Sequence, residues 1–405
     1  MPRGRGYRIV RVWRAGHQLE VYPEARACEH KPVLLLLVRV LLALLGAGLV
    51  VSTLLSSIRS FVLPRGVSDR LLGGIFRVSR ALFELRTKRA HSYADRDRAM
   101  AMYAPLTLLV VPAVWLVLVW LGYSGIFWAE GQHGWRAALV ASGSSLLTLG
   151  FAAPASFPEA LLIFSEAAIG LMLVALLIAY LPAIYAAWAR REERVALLEV
   201  RAGSPPSAVE MLVRYHRIGR MDRLSTDWEQ WEVWFANIEE SHTSLSALAF
   251  FRSPRPERSW VTAAGAVLDA AALHLSTVDV PFDAAAALCI RAGFIALRRI
   301  AEFFDIAYEP NPRPDDDISV GRDEFDDACD RLAEAGLALR PDRDQAWRDF
   351  VGWRVNYDVV LVSLAGLTKA PQAPWSSDRS LRRPSAVAAK TGRRPDAKSP
   401  RSRRT

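Results

Sequence analysis

Three apolar runs stand out along a chain in which charge is otherwise frequent. Val33 to Leu55, Pro105 to Tyr123 and Ala160 to Trp188 contain only two charged residues between them, Arg39 and Glu166. A hydrocarbon core about 30 Å thick is crossed by roughly 20 helical residues, so each run predicts a membrane span. Helices buried in soluble cores seldom run that far without polar positions. Trp115, Trp120, Trp128, Trp135 and Trp188 lie in or near the runs, several close to ends where aromatic rings favour the membrane interface. A fourth, semi-apolar stretch, WRAALVASGSSLLTLGFAAPASFPEA from Trp135, joins the second and third runs. It is too short for a crossing. It suits a short helix that dips into the membrane and returns as extended chain, a course tolerated only where it is buried in protein or lines a watery cavity.

Beyond Trp188 the pattern changes. VALLEV, AVEMLVRYHRI and AAGAVLDAAALHL place apolar residues at helical spacing, and alternating β-branched runs are scarce. The expected fold class is therefore all-α: a membrane part followed by a helical soluble domain. Ser204-Pro205-Pro206 reads as a helix start, with proline tolerated in the first turn. The expected divisions are a basic N-terminal segment 1–32, a first transmembrane helix 33–63, a basic connector 64–103, a pore-like unit 104–189, a helical domain 190–369 and a disordered basic tail 370–405.

Charge sets the orientation. Pro64 to Tyr103 carries nine Lys/Arg, and ARREER comes directly after the third run, whereas Gly122 to Pro158 has only Arg136. The bias of Lys/Arg toward the cytoplasm puts both ends of the second and third spans inside and the joining segment outside. This predicts a multi-pass protein of the cell inner (plasma) membrane with a cytoplasmic C-terminus. The first run is too long for the core of a cleavable signal. Met1 to Pro32 is also basic, so a single crossing puts it outside against the rule, and a return would put it inside; a single crossing is favoured.

The 405 residues carry a formal net charge of +9. Ten basic residues against two acids between Pro371 and Thr405 account for almost all of it. Nucleic acid is thus not the expected partner, because the charge belongs to one segment. That tail has the composition of a disordered segment. Its expected partners are membrane lipids, anionic ones at the cytoplasmic leaflet; the alternative is a merely solvated tail.

The loop between the second and third runs resembles the pore of the potassium channel family. The elements are an outer helix Pro105–Tyr123, a pore helix about Arg136–Leu147 with Ser144 and Ser145 near its end, a filter Thr148-Leu149-Gly150-Phe151-Ala152, and an inner helix from about Glu159. The family filter is Thr-Val-Gly-Tyr-Gly, usually followed by Asp. Thr148 and Gly150 match it, Leu149 stands for Val and Phe151 for Tyr. The EAAIG run, Glu166 to Gly170, is similar to the inner helix of bacterial two-helix potassium channels. RREERVALLEVRAGSPPSAVEMLVR resembles the segment C-terminal to the pore in an actinobacterial-type branch. The resemblance implies passive conduction through a homotetramer, with K⁺ as permeant ion coordinated by rings of backbone carbonyls. The alternative is a non-conducting, channel-like scaffold or sensor. The departures are Ala152 for the second glycine and Ala153 for the acid. Left-handed backbone at Ala152 would cost about 1–2 kcal/mol, so the outer mouth is expected to differ.

Two residues of the third run carry open readings. Glu166 is either a cavity charge attracting cations or a group bracing the pore helix, the latter favoured. Gly170 is a gating hinge or a small residue for close helix packing. Pro182 removes a backbone donor lower in the same helix.

No enzyme chemistry is apparent. Cys28, Cys289 and Cys329 lack CxxC spacing and read as small buried hydrophobes. No phosphate-binding glycine motif comes after a strand, and Gly46-Ala47-Gly48 reads as helix packing. Glu239-x-x-His242 has half the spacing of a di-metal site without a second copy. Trp228, Trp231 and Trp234 read as a core stripe, and Asp315–Asp317 as a solvated loop. No cofactor and no metal site is expected.

Overall fold

The apolar runs become three long helices. The computed structural model describes residues 31–61, 70–87, 93–130 and 134–379. Helix α1 is Lys31–Phe61, α2 Arg70–Thr87, α3 Tyr93–Ala101, α4 Tyr103–Glu130, α5 Trp135–Leu146 and α6 Phe157–Ala202. Then come α7 Ala208–Arg217, α8 Leu224–Ser244, α9 Trp260–Thr277, α10 Ala284–Phe303, α11 Arg322–Glu334, α12 Arg343–Arg354 and α13 Asp358–Thr368. Among the described residues there is no strand, only an isolated bridge between Val278 and Leu339. α1, α4 and α6 are long and apolar enough to cross a membrane.

α1 is one unbroken helix that runs antiparallel to α4. Gly46 faces Gly122 so closely that a Cβ on either would strike the other helix. Gly125 approaches Leu42 at one end of the contact, and Val50 covers Gly122 toward the other. Small residues let backbones pack this tightly where lipid supplies no hydrophobic drive. Gly48 has open space around it, so Gly46 is the packing residue of the pair. The helix is continuous over the whole first apolar run, and its N-terminal end lies beside the C-terminal end of α4.

α5 sits between α4 and α6. Trp115, Val119 and Phe127 of α4, Ala138 and Leu146 of α5 and Leu173 of α6 share one buried cluster. A second cluster forms where the spans meet the helical domain. There Tyr103 meets the rings of Phe76, Phe83 and Phe250 edge-on, at 6.2, 5.8 and 5.8 Å between centroids. α2, from the basic connector, packs on α4 and carries Phe76 and Phe83 into this cluster.

α6 does not stop where its apolar run ends. It continues as one helix to Ala202, beyond the apolar run that ended at Trp188, and its last turns join the core of the helical domain through Val195, Leu198 and Ala202. α9 lies at the centre of that domain, buried along its whole length. Trp228, Trp231 and Trp234 are all buried against the core, as the stripe predicted, and Cys289 and Cys329 are buried as well. The Asp315–Asp317 segment is exposed loop.

Two boundaries differ from expectation. The helix start is Ser207, which caps α7 through its side chain, three residues past Ser204; the Gly203–Pro206 stretch is a turn because Gly203 takes φ 83. The tail begins later than 370. Residues 370–379 pack onto the domain, with Trp375 in its core and Arg379 paired to Glu324 at 2.8 Å. The rest of the basic tail lies outside the described residues, as do 1–30.

The domain is pinned by a buried charge cluster. Arg354 is completely buried. It pairs with Asp269 of α9 and, at 2.8 Å, with Asp358 of α13, and it donates to the Trp375 carbonyl. Burial opposes its charge, but the two carboxylates outweigh burial and keep the guanidinium protonated. One arginine thus ties α9, α12, α13 and the 370–379 segment together.

Candidate functional site

The best-defined polar geometry in the membrane part is built around α5 and the segment that leads from it to α6. α5 begins beside the C-terminal end of α4, where Trp128 and Trp135 meet edge-on at 6.0 Å. Its far end, Leu146, touches α6 at Gly170. Gly170 lies thirteen residues into α6, or about 20 Å at 1.5 Å per residue. The chain then returns to Ser156, the N-cap of α6, which accepts from the Glu159 N–H at 3.3 Å. Ser156 also donates to Glu130 at 3.2 Å, closing the loop against the end of α4. The chain therefore runs along the first third of α6 and comes back to the N-terminus of that helix.

Three serines in the SGSS run hold this arrangement. Ser142 donates to Glu166 Oε1 at 2.5 Å and also lies 3.0 Å from the Trp120 carbonyl. Ser145 donates to the Ile163 carbonyl at 2.7 Å. Ser144 turns the other way: its Oγ accepts from the N–H groups of Phe151, at 3.1 Å, and Ala152, at 3.3 Å. Gly143 leaves room for the Trp120 indole, which donates to the Leu139 carbonyl at 2.9 Å. Tyr123 of α4 and Ser165 of α6 share a hydrogen bond of 2.8 Å.

The returning segment has an unusual backbone. The Leu149 N–H donates to the Ser144 carbonyl at 2.8 Å and the Thr148 N–H to the Ser145 carbonyl at 2.9 Å. This is the paired bonding of a Schellman helix end, with Thr148 in the left-handed position normally taken by glycine. Thr148 has φ 54 and Gly150 has φ 73, so left-handed and ordinary residues alternate. A β-branched residue held there is strained, by about 1–2 kcal/mol. The N–H groups of residues 147–149, 151 and 152 are thus turned toward α5. Among the described residues, no hydrogen bond ends on the carbonyl oxygens of Thr148, Leu149, Gly150 or Phe151. The side chains of Leu149 and Phe151 project outward and are exposed in the single chain.

These findings sort the sequence expectations. Thr148, Leu149, Gly150 and Phe151 form one exposed segment, Ala152 beside them is half-buried, and Ser144 supports the segment. Glu166 is fully buried against α5, so it braces the short helix and does not line an open cavity. A Cβ on Gly170 would collide with the Leu146 carbonyl, so Gly170 is a packing residue, and α6 runs on through it. Ala152 is not left-handed; the strain expected there falls on Thr148 instead. Ser142 was missed by sequence reasoning. Its signal was available, because the buried acid Glu166 needs a donor within reach.

In the helical domain, the Glu239-x-x-His242 pair is split between two partners. Glu239 pairs with Arg299. His242 is fully buried, with Nε2 at 3.3 Å from Arg191 NH1 and Nδ1 at 2.9 Å from the Ile238 carbonyl. Burial first, then the Arg191 charge, push its pKa well below the ordinary histidine value. The neutral ring therefore accepts from Arg191 and donates to Ile238. Arg191 also donates to the carbonyls of Leu248 and Phe251, at 2.9 and 2.7 Å, fixing α6 to the helical domain. No family model, curated protein or solved structure matches this chain.

Proposed function

We propose that the chain is a subunit of a homotetrameric, pore-loop cation channel with K⁺ as its permeant ion, set in the plasma membrane with its helical domain in the cytoplasm. The observation that carries this reading is the row of unpaired carbonyls from Thr148 to Phe151. Backbone at membrane depth without internal partners is tolerated where it faces a watery cavity or a ligand. Four such carbonyls on each of four chains give the rings of oxygen that replace an ion's hydration shell. The alternation of φ at Thr148 and Gly150 turns successive carbonyls to one side, and Ser144 anchors the N–H groups on the other. The basic connector and the ARREER segment support the inside placement of the helical domain.

Assembly is supported by α6. Phe157, Phe164, Leu171, Ile178 and Tyr185 are all exposed and recur every seven residues. A seven-residue apolar repeat is the seam along which helices pack around one another.

The test is ion flux through purified protein in liposomes, with the subunit number checked by light scattering. K⁺ flux is expected to exceed Na⁺ flux. Gly150→Ala, which puts a Cβ on a left-handed residue, is expected to reduce K⁺ flux at least tenfold without changing the tetramer. Absent flux from an intact tetramer overturns conduction and leaves the scaffold reading. Flux indifferent to Gly150→Ala overturns the filter.

A further inference from the structure

A cavity of about 340 Å³ lies where the spans give way to the helical domain. That is within the usual range of small-ligand sites, about 300–1,000 Å³. Its walls are apolar: Phe76 of α2, Leu108 and Val111 of α4, Phe250, and Phe303 and Phe304 at the end of α10. Its rim is charged. Arg59 stands in the last turn of α1 and Arg77 on α2, with Asp305 as the single carboxylate. Both arginines are exposed. Arg77 donates from Nε to the Gly73 carbonyl at 3.2 Å, and neither arginine is ion-paired to a described carboxylate.

We propose that this cavity holds one acyl chain of an anionic membrane phospholipid, with the phosphate seated between Arg59 and Arg77. Location selects the occupant. Arg59 closes the apolar stretch of α1, at the level where lipid headgroups meet water, so a bilayer lipid is already beside the opening. The six apolar wall residues suit a hydrocarbon chain. The rim carries two cations to one anion, and exposed arginines near a bilayer surface attract anionic headgroups. The lipid would touch α1, α2, α4 and α10 together and so link three span-side helices to the helical domain. The site rests on the membrane reading of these helices. It is independent of ion conduction and of the basic tail.

Native mass spectrometry of the full chain, with phosphatidylglycerol or phosphatidylcholine of identical acyl chains, tests it. Phosphatidylglycerol is expected to bind more tightly. Arg59→Gln and Arg77→Gln are each expected to weaken it about fivefold, the effect of one interfacial basic residue. Arg86→Gln, on the same helix outside the cavity, is expected to change nothing. Gly73→Leu separates the cavity from general surface charge. Gly73 lines the cavity with no atom within 4 Å of an added Cβ, and leucine favours the helix. The variant therefore narrows the site while leaving both arginines in place, and it is expected to abolish the phosphatidylglycerol preference. Equal binding of both lipids overturns the proposal. So does a preference that survives Gly73→Leu, which would place the lipid on the outer surface.

Discussion

At the scale of single residues, the loop between α4 and α6 depends on two kinds of group, glycines that leave space and serines that fill valences. Gly170 illustrates the first. Its missing side chain is what lets the Leu146 carbonyl approach α6. Gly170→Ala is expected to destabilise the protein by about 1–3 kcal/mol, the usual effect of overpacking, because the obstacle is backbone and cannot rotate away. Gly48→Ala, on the open side of α1, is expected to be neutral or slightly stabilising. Melting temperatures of the two variants in the same detergent check this, and equal shifts would remove Gly170 from the packing argument. The channel resemblance made Gly150 legible, because it matches a filter glycine and glycine tolerates a left-handed backbone. It did not make Thr148 legible, since nothing about a threonine announces φ 54. Nor did it indicate that Ser144 would hold two backbone donors, because that depends on the returning segment lying against the helix end. Ala152 was misjudged for the same reason: the register of left-handed residues is set by where α5 stops.

At the scale of elements, hydropathy located α1, α4 and α6, and the channel resemblance placed the short α5, within a few residues, except where helices outlast their apolar stretch. α4 continues seven residues past Tyr123, and α6 fourteen past Trp188. Apolar composition marks the surface that lipid would touch, whereas helix length is set by hydrogen bonding and by the partners that pack on the polar turns. α2 was read only as basic connector, because its arginines dominated the reading of that stretch, whereas its apolar residues find their partners on α4. The 370–379 segment was read as tail because its composition is polar, yet Trp375 and Arg379 anchor it. The exposed row on α6 carries a prediction about assembly. In a background with the three native cysteines replaced, Leu171→Cys and Ile178→Cys are expected to form disulfide-linked dimers under mild oxidation. Leu44→Cys, on the exposed side of α1, is expected to stay monomeric on a reducing-agent-free gel. Cross-linking at Leu44 as fast as at Leu171 would mean that the row on α6 merely faces lipid.

At the scale of the whole molecule, the long apolar helices and the helical domain share a joint, because α6 belongs to both. The joint is Arg191 and its partners, and its weakest chemical point is His242. The ring must stay neutral to accept from Arg191, and its surroundings offer no second acceptor: Ser241 at 3.2 Å and Ile238 hold the other nitrogen, and the Trp260 ring packs at 4.6 Å. Its pKa is lowered in the folded protein, so the unfolded chain binds a proton that the folded one refuses. Stability is therefore complete above pH about 6.5 and declines as the pH falls through and below that value, by up to about 1.4 kcal/mol per unit. The loss continues until the folded-state pKa is reached. The melting temperature of the full chain, followed by tryptophan fluorescence at pH 7.5 and 5.5, is expected to drop in the parent. His242→Gln, which keeps an acceptor for Arg191 and cannot titrate, is expected to drop less over the same interval. If both proteins lose the same amount, the acid sensitivity arises elsewhere, and the joint between the spans and the helical domain is held by its carbonyl acceptors, Leu248 and Phe251, without help from the imidazole.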